Sequence, residues 1–149
     1  MIDPQLVIRK MLLISRDLEP LRKLGAKALE EYLSDQDAEI LAERYLERII
    51  GRMIDINYHV ITESGQAPPL DYHESFLRIG AMGILPADFA RELSACAGLR
   101  NRIAHEYDAI DPARIHAALQ GAAELFPRYL AHIQAHLDTL PPPLNSFNP

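Results

Sequence analysis

The chain has little cysteine and no long apolar run, and both shortages exclude classes of protein. Its single cysteine, Cys96, excludes an intramolecular disulfide framework, and without C-x-x-C or Cys/His spacing it gives no support for a structural zinc site. No stretch approaches the roughly 18 consecutive apolar residues of a transmembrane helix. Charges at Arg9, Lys10 and Arg16 interrupt the start of the chain, so it does not read as a secretion signal. We therefore expect a cytoplasmic protein with no membrane partner.

Positive charge is also scarce. Across 149 residues, 15 Lys and Arg face 21 Asp and Glu, which gives a net charge of -6. This balance disfavours non-specific binding to nucleic acid or to an acidic membrane surface. The charge is uneven, however, because residues 1–27 hold six basic and three acidic side chains, which leaves nine basic and 18 acidic ones elsewhere. A small phosphate-binding site is compatible with this composition, and its affinity for an anionic ligand would be modest and would fall steeply as salt rises.

Alternating runs of β-branched residues are missing, whereas apolar residues recur at spacings of three and four almost throughout. The sequence therefore predicts an all-α fold, an antiparallel helical bundle of four long helices and one short helix in a single domain over residues 1–140. Residues 141–149 lack periodicity and are predicted to form a disordered Pro-rich tail. The first predicted helix covers residues 5–32 with a kink at Pro20, and the second follows a cap at Ser34 or Asp35 and continues to about residue 63. The others cover residues 72–82, ended by Gly83, then 86–105, and 112–140 with a disturbance at Pro127.

The densest group of polar side chains lies in residues 99–108, at the end of the fourth predicted helix. If that helix continues at about 100° per residue, one broad face carries Arg100, Asn101, His105 and Tyr107. The planar fork of Arg100 suits phosphate oxygens. His105 exchanges a proton near neutral pH, as cleavage by an RNA 2′-hydroxyl requires. Asn101 would orient either one, and Tyr107 offers a hydroxyl to a ligand or to a modifying enzyme.

The same cluster also has a purely structural interpretation. His105 can interact with the dipole at the C-terminus of its helix. On composition alone, structural ion pairs are more common than catalytic groups. The pairs that the sequence offers here are Arg100 and Arg102 with Glu92, Glu106 or Asp108.

Asp55 and His59 lie four residues apart on the second predicted helix and therefore share a face. In a functional interpretation, Asp55 orients Arg100 or His105 across the bundle. In a structural one, Asp55 and His59 form a buried hydrogen-bonded pair. The two interpretations carry equal weight, whereas a metal site would need more ligands than the sequence places nearby.

The spacing of these residues is more specific than their composition. Residues 100–107 read R-N-x-x-x-H-x-Y, and the second predicted helix, over residues 43–61, contains the run I-D-I-x-x-H. Together they resemble the HepT-like branch of the HEPN superfamily, and the similarity extends from about residue 5 to 138. The resemblance implies a HEPN-like helical bundle.

The family resemblance further implies the toxin of a toxin–antitoxin pair, a ribonuclease that needs no metal or other cofactor. In such proteins the motifs of two protomers meet in a shared cleft of a homodimer. Arg100 would stabilise the phosphate of an RNA substrate and His105 would act as general acid or base, with Asn101 and Asp55 in support. Tyr107 matches the tyrosine to which an MntA-type nucleotidyltransferase antitoxin attaches AMP, which adds bulk and negative charge at the cleft.

Two other functions stay open at this point. A non-catalytic HEPN-like binding module would use the same face to dock a nucleotidyltransferase or a nucleotide. Tyr107 would then be a contact or modification site, and His105 would be structural. The third alternative is a plain helical scaffold in which the polar cluster forms ion pairs.

Overall fold

A computed structural model describes residues 1–142, and the predicted tail from residue 143 onward lies outside the described residues. The all-α prediction is confirmed, since this part of the chain contains helices and no strand. None of its helices is long and apolar enough to cross a membrane. The elements are α1 (Pro4–Ala26), α2 (Leu29–Leu33), α3 (Gln36–Glu63), α4 (Tyr72–Ala81), α5 (Ala87–His105), a 3₁₀ turn (Tyr107–Ala109) and α6 (Pro112–Asp138).

Local sequence signals explain most of these boundaries. The Asp35 carboxylate accepts a hydrogen bond from the Ala38 N–H at 3.2 Å and so caps the start of α3. Gly83 follows α4 with a φ of 78°, a left-handed conformation that glycine adopts without a steric penalty. α1 and α6 pass through Pro20 and Pro127 without a break.

The prediction of one helix over residues 5–32 is wrong. The chain leaves the helix at Lys27, whose backbone is extended with a ψ of 144°. Tertiary contacts explain the break. The Gln120 amide donates to the Gly25 carbonyl at 3.2 Å, and His116 Nε2 donates to the Lys27 carbonyl at 2.8 Å. Side chains of α6 therefore satisfy carbonyls that a continuing helix would have paired.

Contacts along α1 and α3 show that these two helices run antiparallel. The N-terminal amine of Met1 pairs with Glu63 at the end of α3, at 2.7 Å. Further along α1, the buried Asp17 carboxylate pairs with Arg52 at 2.7 Å and with Arg48 at 3.2 Å. The predicted antiparallel arrangement is thus present in this pair of helices, and a charged cluster joins them.

The apolar core lies between α1, α3 and α6 and extends to α4 and α5. A buried polar network crosses it: Tyr129 Oη donates to Asn57 Oδ1 at 2.6 Å, and Asn57 Nδ2 donates to Ser75 Oγ at 3.2 Å. This network joins α6, α3 and α4. The largest fully buried side chains include Tyr32, Tyr129, Phe76, Ile14, Leu21, Leu46 and Ile50.

Candidate active site

The polar motif singled out in the sequence lies at the end of α5. Arg100 and Asn101 belong to its last turns, and His105 is its final residue. Glu106 then leaves the helical conformation, with φ of -129° and ψ of 31°, and Tyr107 begins the 3₁₀ turn. The expectation that one continuous helical face carries both Arg100 and Tyr107 is therefore wrong.

The chain reversal before α6 explains why α5 stops at this point. The Ala109 N–H donates to the Glu106 carbonyl at 2.9 Å, which closes the 3₁₀ turn. Two residues later, the Asp111 carboxylate accepts from the Ala113 N–H at 3.0 Å and caps α6. Tyr107, at the first position of the turn, is 64% exposed.

The motif side chains are not tied to other polar groups within residues 1–142. In this part of the chain Arg100, His105 and Tyr107 make no side-chain hydrogen bond and no ion pair. α5 does form an ion pair outside the motif, between Arg91 and Asp88. The ion-pair interpretation of the motif arginines is therefore wrong. His105 keeps a position at the helix end where a positive charge interacts favourably with the dipole.

Arg100 lines a cleft of about 570 Å³ formed by α1, α3, α4 and α5. Its guanidinium carbon lies over the Tyr72 ring, 5.5 Å from the ring centre. Such a cation–π contact holds the guanidinium and leaves its N–H groups available for phosphate oxygens. His105 is not among the residues that line this cleft, and it lies roughly 7.5 Å further along the axis of α5. The polar and aromatic lining residues are Lys10, Asp55, Tyr58, His59, Tyr72 and Arg100.

Asp55 and His59 line this cleft but have separate partners. Asp55 Oδ2 lies 3.2 Å from Lys10 Nζ, with 60% of the Asp55 side chain exposed. His59 Nε2 accepts a hydrogen bond from the Asp3 N–H at 2.9 Å. The interpretation of Asp55 and His59 as a buried pair bonded to each other is therefore wrong. No hydrogen bond joins Asp55 to Arg100 in the described chain, so its supporting role stays a prediction.

Asn101 is exposed and lines a neighbouring cavity of about 400 Å³ together with Tyr72 and His73. Within residues 1–142 its side chain makes no hydrogen bond to Arg100 or His105. The supporting role of Asn101 likewise stays a prediction.

The sequence did not single out Lys10, Tyr58 and Tyr72 as cleft residues. The Tyr58 and Tyr72 rings meet edge to face with their centres 6.1 Å apart, and burial raises the pKa of Tyr58. The basic segment 1–27 was the one available signal, because it contains Lys10. The two tyrosines gave none, since their proximity depends on how α3 and α4 pack.

The lone cysteine does not belong to this site. Burial raises the pKa of the Cys96 thiol to about 12, so the thiol stays protonated and is a poor nucleophile near neutral pH. In the described part of the chain, no three His, Cys, Asp or Glu side chains form a group that could hold a metal ion.

Comparison with known proteins identifies the family. Residues 14–133 match the family described as ribonuclease HepT-like. The chain belongs to the HepT-like ribonuclease family. It is 34% identical over 139 residues to the tRNA nuclease HepT of Aphanizomenon flos-aquae (strain 2012/KM1/D3), which covers 93% of this chain and 95% of that relative. The resemblance inferred from the R-N-x-x-x-H-x-Y motif is confirmed, and the HepT-like chain is a ribonuclease.

Solved structures share the fold of this HepT-like chain. A toxin–antitoxin structure with AMP-PNP has a TM-score of 0.81 at 19% identity, covering 88% of this chain and 98% of the other. The tri-AMPylated HEPN toxin of Shewanella oneidensis, in complex with MNT antitoxin, has a TM-score of 0.81 at 20% identity, covering 89% and 99%. YutE of Bacillus subtilis, a cytosolic protein of unknown function, has a TM-score of 0.81 at 14% identity, covering 98% of both. The predicted HEPN-like fold is confirmed.

Proposed function

We propose that this HepT-like ribonuclease is the toxin of a toxin–antitoxin system and cleaves RNA internally without a metal. Arg100 and His105 would carry the reaction. The observation that supports this most strongly is their position in the last turns of α5, where neither the half-buried Arg100 nor the exposed His105 has a polar partner within residues 1–142. Because the relative from Aphanizomenon is a tRNA nuclease, a tRNA is the first substrate class to test.

Cleavage by the 2′-hydroxyl of the RNA needs two proton transfers. The 2′-oxygen loses its proton and bonds to phosphorus, while the bond from phosphorus to the 5′-oxygen breaks and that oxygen gains a proton. His105 acts as general base or general acid in these steps. Arg100 holds the phosphate oxygens and stabilises the negative charge that develops on them in the transition state.

The central experiment measures tRNA cleavage in the presence of EDTA by the wild type, His105→Ala and Arg100→Ala. The wild type is expected to cleave, and each variant to lose about 100-fold or more of its rate, since a positioned acid or base contributes about 10²–10⁴-fold. The thermal midpoint should be unchanged for His105→Ala and only slightly lower for Arg100→Ala, which loses the contact with the Tyr72 ring. The matched controls are His136→Ala and Arg91→Ala, which remove the same side chains elsewhere. Cleavage by His105→Ala at the wild-type rate would contradict the proposal.

We further propose that the active unit is a homodimer in which the motifs of two protomers form one cleft. A single Arg and a single His make a sparse site, whereas a two-fold axis would supply two of each. The test mixes inactive Arg100→Ala protein with inactive His105→Ala protein. Recovery of activity is expected if Arg100 of one protomer acts with His105 of the other. A monomer in sedimentation, or no recovery after subunit exchange is shown, would overturn the composite site.

The proposed antitoxin is a nucleotidyltransferase that attaches AMP to Tyr107. The exposure of Tyr107 on the 3₁₀ turn supports this, because a transferase must reach the phenol oxygen. Incubation with an MntA-type nucleotidyltransferase and ATP should raise the mass of the wild type but not of Tyr107→Phe. An equal mass increase in both proteins would exclude Tyr107 as the acceptor.

The alternative is a non-catalytic module that docks a nucleotidyltransferase or a nucleotide. It makes the opposite prediction for the tRNA cleavage experiment. Wild-type protein would bind its partner without cleaving tRNA, and His105→Ala would bind equally well. Membership of a ribonuclease family favours the enzyme.

A further inference from the structure

We propose that the cleft lined by Lys10, Asp55, Tyr58, Tyr72 and Arg100 binds one nucleotide of single-stranded RNA, adjacent to the phosphate that Arg100 holds. This inference rests on the proposed function, because it makes the cleft a substrate subsite beside the reacting phosphate. Its volume of about 570 Å³ lies within the roughly 300–1,000 Å³ of ordinary small-molecule sites.

Two tyrosine rings give the cleft the surface that an unpaired base requires. Tyr72 remains 39% exposed although Arg100 covers part of its ring, and Tyr58 meets it edge to face. Single-stranded RNA is commonly held by stacking its splayed bases on aromatic side chains and arginine planes. The combination of Tyr58, Tyr72 and Arg100 therefore favours a base over a simple anion.

Charged groups on α1 and α3 supply the polar contacts. Lys10 Nζ and Asp55 Oδ2 lie 3.2 Å apart, and both line the cleft. The Lys10 ammonium can bind a neighbouring phosphate of the RNA backbone. The Asp55 carboxylate can accept a hydrogen bond from an amino or imino group of the base. An anionic ribose-phosphate with a base therefore matches this pair better than an apolar ligand does.

Gly51 provides an independent indication that the cleft is kept open. It lies within α3 and lines the cleft, although glycine inside a helix is destabilising relative to alanine. A Cβ atom at Gly51 would meet nothing within 4 Å, so close packing does not require glycine there. At Gly25, by contrast, a Cβ would lie 3.1 Å from Leu119 Cβ. The missing side chain of Gly51 thus leaves space for a ligand.

The first experiment fills the cleft without changing Arg100 or His105. Gly51→Phe should raise the KM for tRNA cleavage at least tenfold and keep the thermal midpoint of the wild type. The matched control is Ala135→Phe, which places the same ring on an exposed position of α6 and should leave KM unchanged. Tyr72→Leu should also raise KM, and Tyr72→Phe should recover most of that loss because stacking needs the ring. Equal KM for Gly51→Phe and the wild type would overturn the subsite.

A second experiment separates this inference from the proposed function. Uridine and adenosine 5′-monophosphate are titrated into isotope-labelled wild type and Gly51→Phe, with inorganic phosphate as the comparison anion. Amide shifts are expected around Gly51, Asp55 and Tyr72 of the wild type with the nucleotides and not with Gly51→Phe. Equal shifts with inorganic phosphate, or none at the cleft, would overturn the subsite. Absence of tRNA cleavage by the wild type would instead overturn the proposed function, and the titration would still decide the subsite.

Discussion

The polar side chains between α1, α3 and α6 differ from those at the end of α5 in having partners inside the chain. Asp17 is buried and pairs with Arg48 and Arg52, and Asn57 is fully buried and bonded on two sides. Arg100 and His105 are more exposed and make no hydrogen bond or ion pair within residues 1–142. Buried polar groups need partners because leaving one unsatisfied costs free energy. Groups without a polar partner, such as the exposed His105 and the half-buried Arg100, contribute less to the fold and stay available to a ligand.

The largest effects are expected from substitutions of two arginines. Arg100 has no polar partner in the described chain, whereas Arg52 pairs with the buried Asp17. Arg100→Ala should lower the rate of tRNA cleavage about 100-fold, as removal of a transition-state donor does, while the thermal midpoint falls only slightly through loss of the Tyr72 contact. Arg52→Ala should lower the thermal midpoint and leave the cleavage rate unchanged, because it removes one of the two arginines that pair with the buried Asp17 carboxylate. Cleavage rates and thermal melts of the two variants provide the check. A midpoint lowered as far in Arg100→Ala as in Arg52→Ala would show that the end of α5 stabilises the fold as much as the Asp17 pairs do.

A second prediction concerns the charged cluster between α1 and α3. Asp17→Ala leaves Arg48 and Arg52 without their shared carboxylate, so the free energy of unfolding should fall by about 3 kcal/mol. Urea denaturation followed by circular dichroism measures this. The control is Glu19→Ala, an exposed acid on the same helix, whose removal should change stability by less than about 0.5 kcal/mol. Equal effects of the two substitutions would mean that the Asp17 pairs contribute nothing net.

A third and smaller effect compares two buried tyrosines. Tyr129→Phe removes the hydroxyl that donates to Asn57 and should cost about 1–2 kcal/mol, because a buried acceptor is left unsatisfied. Tyr32→Phe should not destabilise, since the buried Tyr32 Oη has no hydrogen-bond partner in the described chain. Burial raises the pKa of both phenols, which keeps them neutral at ordinary pH. The check is the free energy of unfolding of both variants in urea. An equal decrease in Tyr32→Phe and Tyr129→Phe would contradict the prediction.

The smallest effect is expected at Asp35, which is half-buried and whose carboxylate caps α3. The backbone N–H of Ala38 holds the pKa of this carboxyl below its usual value of 3.8. Because the pKa is lower in the folded state, the stabilisation is complete above pH 3.8 and is lost as pH falls through the folded pKa. Thermal melts between pH 2 and 6 should show a shallower acid slope for Asp35→Asn than for the wild type. Identical slopes would remove Asp35 as a source of the pH dependence.

The fold was largely predictable from the sequence because its helices are marked by local signals. Apolar spacing, the Asp35 cap and Gly83 act within one or two turns, and the corresponding boundaries are confirmed. The break at Lys27 was not predictable in this way. It depends on side chains of α6 that are about 90 residues away in sequence, at His116 and Gln120.

The candidate site shows the same division. The spacing of Arg100 and His105 is a property of one segment and led to the family. The cleft beside Arg100 is not a property of one segment, since Lys10, Asp55 and Tyr72 come from three helices whose packing brings them together. The position of Tyr107 was also mistaken, because the chain reversal before α6 takes it out of the helix.

The 3₁₀ turn that carries Tyr107 has a consequence for regulation. One backbone bond, from the Ala109 N–H to the Glu106 carbonyl, closes this turn, and none of its residues is buried. Such a segment can open locally at a small cost in free energy, independently of the bundle behind it. A group attached to Tyr107 would therefore leave the core of the bundle undisturbed. We expect the modified protein to stay folded, with the thermal midpoint of the unmodified one.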